Sequence, residues 1–233
     1  LSIAVAYNPD TAQFYGIDLK RDRLGSTLGR TVHVRNVAET PAQALTLLDE
    51  LLGRIQGRIN SAQGRRGDGR SSRDGNSPGN WPRLFLFVDD FSKDLSRDYG
   101  ENDKLLKKLD ECFDLGARAG LHLILAGDGA AFSVATPFVQ RLKAGQRGFL
   151  FAKAAADNMH VLNVKVPRLP ARQAVPGRAF FVQPTTAPLM QIAFYDRAAH
   201  AENLAIKNWL SHLRTVFSPV QPQPDVIATE TKE

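Results

Sequence analysis

The chain has 233 residues, of which 43% are hydrophobic and 23% charged, ordinary values for a folded globular protein. Its single cysteine, Cys112, excludes an intrachain disulfide and fits a reducing compartment. No apolar run reaches the roughly 18 residues of a transmembrane helix, and no signal peptide is visible. The formal net charge of +6 permits a nucleic-acid or acidic partner without requiring one.

The first predicted elements are the end of a helix and a strand. Residues 1–7 are typical of the last two helical turns, so we expect a fragment, or a chain that lacks a preceding segment. Residues 12–19 are aromatic and apolar and predict a strand with Asp18 near its end. Residues 25–35 predict a polar loop.

A well-marked helix is predicted next. Thr40 suits the N-cap, Pro41 the first helical position, and Gln43 completes a capping box. Its apolar stripe consists of Ala44, Leu48, Leu51, Ile55 and Ile59.

Residues 60–80 are rich in Arg, Gly and Ser without apolar periodicity, which predicts a disordered insertion. The Arg-Gly composition also permits contact with nucleic acid. A solvated surface insertion is favoured, because Asp68 and Asp74 dilute the charge and no aromatic residue is interleaved.

The most informative stretch is residues 84–90, Leu-Phe-Leu-Phe-Val-Asp-Asp. Five bulky apolar residues without alternation predict a strand buried on both faces, as in a parallel sheet. Asp89 and Asp90 follow where the strand should end, and ligands of open α/β sheets gather at the carboxyl ends of strands. The alternative is that Asp89 caps the next helix and Asp90 is a solvated acid of its first turn.

The next segments predict a helix and a further strand. The helix buries Leu105, Leu106, Leu109, Cys112 and Phe113 and ends near Gly116. Residues 121–126 predict a buried strand, in which His122 is interpreted as a packed core histidine, because no second His or Cys offers metal-ligand spacing. Residues 127–129, Gly-Asp-Gly, form a turn at the same sheet edge as Asp90 if the strands are parallel.

The last third predicts shorter elements. Residues 133–142 favour a weak helix, residues 149–152 a fourth strand, and residues 179–182 and 189–195 an antiparallel hairpin. Asp196 caps a final helix, and residues 219–233 predict a flexible tail. The apolar face of that helix consists of Ile206, Leu210, Leu213 and Phe217.

Four segments together resemble the ATPase domains of the FtsK/SpoIIIE type, and most closely those of the membrane-anchored ATPase of type VII (ESX) secretion. They are residues 12–19, the strand that ends in Asp89-Asp90, residues 116–126 and residues 176–180. The similarity covers roughly residues 1–197, and Ala-Arg-Ala-Gly-Leu-His-Leu-Ile-Leu-Ala at 117–126 is its most specific part.

The resemblance implies a RecA-like α/β fold: an open, mainly parallel sheet flanked by helices, with a C-terminal antiparallel hairpin. It implies one ATPase domain over residues 1–218, with ATP and Mg²⁺ as cofactors. On this reading Asp89 orients the Mg²⁺ of bound ATP and Asp90 polarises the attacking water. Asp128 lies where a sensor residue would approach the γ-phosphate. The implied partners are neighbouring ATPase domains or subunits of a secretion complex and a protein substrate, and the implied location is cytoplasmic, at the inner face of the membrane through other parts of the protein.

The sequence departs from the family in two places. It contains no Gly-rich phosphate loop with Lys-Ser or Lys-Thr, so either that loop lies upstream or the domain is degenerate. Where the family often has Thr-Gln or Thr-Arg, residues 127–130 are Gly-Asp-Gly-Ala. An additional acid near a triphosphate is repulsive by about 1 kcal/mol. We therefore expect ATP binding and hydrolysis that are either impaired or completed by upstream sequence, and a role in recognising and exporting a protein substrate or partner.

Two other functions remain open. An active DNA translocase would need a basic loop, for which Arg65, Arg66, Arg70 and Arg73 are the candidates. A non-enzymatic interaction module would need an apolar pocket for a partner helix. Arg147 and Arg178 are candidates for arginines that act across a subunit boundary, with turn capping or surface ion pairing as the alternative.

Overall fold

The computed structural model describes residues 7–21, 31–64, 81–92, 95, 100–151, 155–175 and 177–191. The predicted helix before residue 7, most of the Arg/Gly insertion, the C-terminal helix and the tail lie outside these residues.

Four parallel strands form the main sheet, in the spatial order β2-β1-β3-β4. They are β1 (Ala12–Ile17), β2 (Val34–Ala38), β3 (Arg83–Phe91) and β4 (Leu121–Gly127). The apolar run of β3 lies between β1 and β4, which confirms that it is an interior strand of a parallel sheet. Because the strands are parallel, the carboxyl ends of β1, β3 and β4 meet at one edge, here called the acid edge.

Within the described ranges, three α-helices connect the strands: α1 (Pro41–Gly64), α2 (Glu101–Gly116) and α3 (Pro137–Ala144). The N-terminus of α1 follows the prediction, since Thr40 Oγ1 accepts the Gln43 N–H at 3.3 Å. Gln43 reaches back one residue further than a standard capping box, to the N–H of Glu39 at 2.9 Å.

One face of the main sheet packs against α1 and α2. The predicted stripe of α1 is buried as far as Ile55, with Ile59 partly buried against the same cluster. From the sheet, Ile17, Leu86 and Val88 enter this core, and each fully buried aliphatic side chain contributes about 1.5–3 kcal/mol. An ion pair between Lys108 and Asp49 joins the two helices at the surface.

The opposite face carries a row of aromatic rings in stacked and edge-to-face contact. Phe14 lies 5.7 Å from both Phe85 and Phe87 between ring centroids, and 5.1 Å from His33. Phe85 in turn stacks on His122 of β4 at 4.8 Å. The continuous apolar sequence of β3 thus supplies aliphatic residues to one face and phenylalanines to the other.

A second, three-stranded antiparallel sheet has the order β5-β6-β7 and consists of β5 (Gly148–Phe151), β6 (Arg178–Val182) and β7 (Leu189–Gln191). The pairing of β6 with β7 confirms the predicted C-terminal hairpin. The fold class expected from the sequence, a mainly parallel sheet flanked by helices and followed by an antiparallel hairpin, is therefore confirmed.

Two details of the sequence prediction are wrong. The expected loop at residues 25–35 gives way to β2 from Val34, which the sequence hides because β2 has only five residues and two of them are exposed. Helix α1 extends to Gly64, beyond the predicted end near residue 60, since the Gln56–Asn60 and Ser61–Gly57 hydrogen bonds continue its last turns. The fourth strand predicted at 149–152 is present as β5, which pairs with β6 in the second sheet.

The prediction that His122 is a packed core histidine is also wrong. Its side chain is exposed, because β4 is an edge strand of the main sheet among the described residues. One side of its ring stacks on Phe85, and this partial desolvation, followed by the charge of Arg83, lowers the pKa of His122 below its ordinary value.

Candidate functional site

Asp89 and Asp90 lie at the acid edge, as the sequence predicts, and both are half-buried. The alternative that Asp89 caps the following helix is wrong, because α2 begins only at Glu101. Asp89 Oδ1 instead accepts a hydrogen bond from the backbone N–H of Asp90 at 2.9 Å.

The two acids form a bulge in β3. Val88 pairs with Leu125 and Phe91 with Gly127, so two residues of β3 stand opposite one residue of β4. Asp90 has a φ of 51°, in the left-handed region that non-glycine residues seldom adopt and that Asp tolerates better than most. Bulges are frequent beside active sites, where they redirect side chains. Here the bulge gives the Asp90 side chain a direction that a regular strand would not.

Lys20 holds the carboxylate of Asp90. Its ammonium forms an ion pair with Asp90 Oδ2, and that oxygen accepts no other hydrogen bond from the described residues. The Lys20 side chain is 62% exposed and that of Asp90 35%. Lys20 follows β1, so the ion pair bridges the carboxyl ends of two neighbouring strands.

A turn fixes the position of Lys20. The N–H of Asp18 donates to the carbonyl of Ala38 in β2 at 2.8 Å, and the N–H of Arg21 returns to the carbonyl of Asp18 at 3.1 Å. Arg21 Nε reaches the carbonyl of Glu39 at 3.4 Å. The turn is thereby anchored to β2 and presents Lys20 towards β3.

Asp18 is a further carboxylate at this edge that the sequence did not single out as a site residue. It is 1% exposed and ends β1 beside β3. The signal that could have identified it is the same as for Asp89: an acid directly after an apolar strand.

Asp128 follows β4 at the same edge and is exposed. Its Oδ1 accepts the N–H of Ala131 at 2.9 Å, so it stabilises the turn that leads to Ser133. Ser133 Oγ lies 2.9 Å from both the carbonyl of Gly129 and Nε2 of His160. The hydroxyl of Ser133 has one proton, and it donates this proton to the carbonyl of Gly129. His160 must then donate its own N–H to Ser133 Oγ. A base that activates a serine nucleophile has to accept from the hydroxyl, so this pair is not an activated nucleophile.

The remaining sequence candidates have structural positions or lie outside the described residues. Arg178 Nε donates to Gln191 Oε1 at 3.3 Å across the β6–β7 pair, which favours the structural alternative for this arginine. Arg147 is exposed in the turn before β5. The four arginines proposed for DNA contact, at positions 65–73, lie outside the described residues.

A cavity of about 250 Å³ lies away from the strand-end acids. It is lined by residues 146, 162–165 and 182–187, near the second sheet, and its lining is more polar than apolar. None of the candidate acids lines it, and it does not have the apolar walls expected of a groove for a partner helix.

The donor set fits magnesium only in the presence of a ligand. Among the described residues, no three His, Cys, Asp or Glu side chains converge on a metal position. Mg²⁺ in nucleotide sites is usually held by one or two carboxylates, with substrate phosphates and water completing the octahedron. Asp89 and Asp90 match that requirement by number and type.

These features define the class of the fold. An interior parallel strand that ends in two acids, flanked by strands whose carboxyl ends meet at the same edge, is the arrangement of RecA-like ATPase domains, and solved structures agree. EssC ATPases 2 and 3 from Geobacillus thermodenitrificans match with a TM-score of 0.63 and 17% identity over 96% of this chain and 41% of that chain. The chain therefore shares its fold with these ATPase domains.

Two further structures show the same fold. Thermomonospora curvata EccC ATPases 2 and 3, solved in complex with a signal sequence peptide, match with a TM-score of 0.61 and 20% identity over 96% of this chain and 40% of that chain. The pCW3 conjugation coupling protein TcpA, solved with ATPγS, matches with a TM-score of 0.61 and 16% identity over 86% of this chain and 57% of that chain. This chain thus spans about two-fifths of the length of the secretion ATPase structures.

Comparisons at the level of sequence give no match. No protein-family profile matches the chain, and no curated protein does. In the part of the chain that the structure describes, no helix has the length and hydropathy to cross a bilayer.

Proposed function

We propose that this chain is an ATPase-type module of a protein secretion motor that binds Mg²⁺ and ATP weakly at the acid edge and hydrolyses ATP slowly or not at all. Its main role is then the recognition of a protein substrate or of a neighbouring ATPase domain. The observation that carries the proposal is the pair Asp89 and Asp90 at the end of the interior strand of a RecA-like sheet.

Each acid has a distinct role in this proposal. Asp89 is the ligand that would orient Mg²⁺, and Asp90 the group that would position a water molecule next to the γ-phosphate. Asp128, at the end of β4, would lie on the phosphate side, where its charge opposes the triphosphate.

Two features support impaired hydrolysis. The sequence has no phosphate loop, which in P-loop enzymes supplies backbone N–H groups and a lysine to the phosphates. In addition, the negative charge of Asp128 at the end of β4 opposes a triphosphate. Binding without the phosphate loop should be weak, with a dissociation constant of about 1 mM, near −4 kcal/mol.

The proposed partners follow from the structural neighbours. EssC and EccC were each solved as a pair of ATPases, and EccC with a signal sequence peptide. We propose that this module contacts another ATPase domain of the same machine and a peptide signal on the exported protein. We also propose a cytoplasmic position at the inner face of the membrane, held there by other parts of the machine.

The proposal is tested by titrating Mg²⁺-ATP, Mg²⁺-ADP and Mg²⁺-GTP against the chain by calorimetry, with phosphate release measured in parallel. We expect saturable ATP binding that requires Mg²⁺, with release near the background rate. Absence of binding at concentrations of several times 1 mM would contradict the nucleotide site. Turnover of about 1 s⁻¹ or faster would contradict the impairment.

A further inference from the structure

The ion pair between Lys20 and Asp90 joins the turn after β1 to the bulge of β3 at the acid edge. Lys20 comes from a turn anchored to β2 through Ala38 and Glu39, so its backbone has little freedom to move away. Asp90 comes from a backbone in the left-handed region, which directs its carboxylate towards β1. The backbone conformation at each residue therefore brings the two side chains within ion-pair distance.

From this contact we infer that Lys20 is a positioning residue that restrains Asp90, and that nucleotide binding releases the restraint. The inference rests on the proposed function, because it assigns a regulatory state to the same acid edge. Asp90 Oδ2 is buried beside the ammonium of Lys20, so a water molecule does not reach that oxygen while the ion pair persists. The side chain thus exists in two states, paired with Lys20 or available to water.

The energetics make such a switch reversible. An ion pair between half-exposed groups is worth little, typically below about 1 kcal/mol, because water screens it and both side chains lose freedom. A bound triphosphate is negatively charged, as Asp90 is, and its oxygens can therefore compete with Asp90 for the exposed ammonium of Lys20. A contact of this strength can be broken by a ligand that binds only weakly.

The test measures the reactivity of individual lysine amines towards reductive methylation by peptide mass spectrometry, with and without saturating Mg²⁺-ATP. In the wild-type chain Lys20 should react about two to five times more slowly than in Asp90→Asn, because pairing with Asp90 protects the amine. Mg²⁺-ATP should change Lys20 reactivity in the wild-type chain and have a smaller effect in Asp90→Asn. Lys107, which pairs with Asp103 on the surface of α2 at 2.6 Å, serves as the internal control and should be equal in all samples.

A second pair of variants tests the release step. Lys20→Met removes the ammonium and keeps the apolar stem, so no ammonium can pass from Asp90 to the phosphates, and it should bind Mg²⁺-ATP several-fold more weakly than the wild-type chain. Lys20→Arg keeps the charge and should bind Mg²⁺-ATP as the wild-type chain does. A Lys20→Met chain that binds Mg²⁺-ATP as tightly as the wild-type chain would overturn the inference.

The labelling outcomes are also distinguishable from failure of the proposed function. Equal Lys20 reactivity in the wild-type chain and Asp90→Asn would overturn the inference, because the ion pair would then be absent in solution. An effect of Asp90→Asn without any effect of Mg²⁺-ATP, in a chain that calorimetry shows to bind Mg²⁺-ATP, would overturn the release step alone. Absence of binding in calorimetry overturns the nucleotide site and the release step together.

Discussion

Gly127 and Phe91 are the last paired residues of β4 and β3, and a Cβ atom on Gly127 would overlap the carbonyl oxygen of Phe91. The close approach follows from the bulge at Asp89 and Asp90, which brings the end of β3 back against β4. A residue without a side chain is therefore required at the position that the FtsK/SpoIIIE resemblance assigns to the start of the sensor turn.

Gly127→Ala should destabilise the chain by about 1–3 kcal/mol, because backbone atoms must shift to accept the methyl group. The measurement is the urea midpoint of unfolding. The matched control is Gly57→Ala in the middle of α1, where a Cβ would meet nothing within 4 Å, and which should stabilise by about 0.5–1 kcal/mol. Equal effects of the two substitutions would contradict the tight pairing of β3 and β4.

Tyr15→Phe should leave stability unchanged or raise it by about 1 kcal/mol. The ring of Tyr15 is fully buried, and its hydroxyl has no hydrogen-bond partner among the described residues. Removing the hydroxyl therefore removes the free-energy cost of burying an unsatisfied polar group. Burial also raises the pKa of Tyr15 above its ordinary value. Tyr15→Leu, which loses the ring beneath Arg54, should be clearly destabilising. A loss of stability in Tyr15→Phe as large as in Tyr15→Leu would show that the hydroxyl is bonded.

Stability should fall as the pH drops below about 6.5, the ordinary pKa of histidine. Burial lowers the pKa of His33 in the folded chain. As the pH falls, the unfolded chain therefore binds a proton at this histidine before the folded chain does, and the free energy of unfolding decreases. The contribution of His33 is complete above that pH and is lost as the pH falls towards the lower folded pKa. His122, whose pKa is lowered by burial and by Arg83, acts in the same direction.

The measurement is the urea midpoint at pH 7.5 and at pH 5.5 for the wild-type chain and for His33→Gln. We expect a smaller difference between the two pH values in the variant, and a still smaller one when His122→Gln is added. A wild-type difference that persists undiminished in the double variant would show that other groups cause it.

Cys112 should be unreactive in the folded chain. Its side chain is fully buried on α2, and burial, followed by the nearby charge of Glu111, raises the pKa of the thiol to about 12. A disulfide exchange reagent at pH 8 should label it only after unfolding in guanidinium. Rapid labelling of the native chain would contradict the packing of α2 against α1.

The parts of the fold that could be predicted are those recorded in local patterns. Thr40 with Gln43 marks the start of α1, and the five apolar residues before Asp89 mark an interior strand. Among the described residues β4 lies at an edge of the main sheet, and this position could not be predicted, because an apolar run looks the same in an interior strand and in an edge strand. The prediction that His122 packs in the core was wrong for that reason.

The candidate site was predictable only in part, for a related reason. Asp89, Asp90 and Asp128 follow apolar strands, and parallel pairing then places them at one edge. The bulge depends on the register between β3 and β4, and the ion pair of Lys20 with Asp90 depends on the adjacency of β1 and β3. Neither relationship leaves a trace in the local sequence.

The central claim is that carboxylates at the end of β3 bind the metal of a nucleotide complex, and Asp89→Ala tests it most directly. The control is Asp10→Ala, which removes an exposed acid before the opposite, amino end of β1. Calorimetric titration with Mg²⁺-ATP should show wild-type affinity in Asp10→Ala and a loss of about tenfold or more in Asp89→Ala. Equal affinities of the two variants would contradict a nucleotide site at this edge.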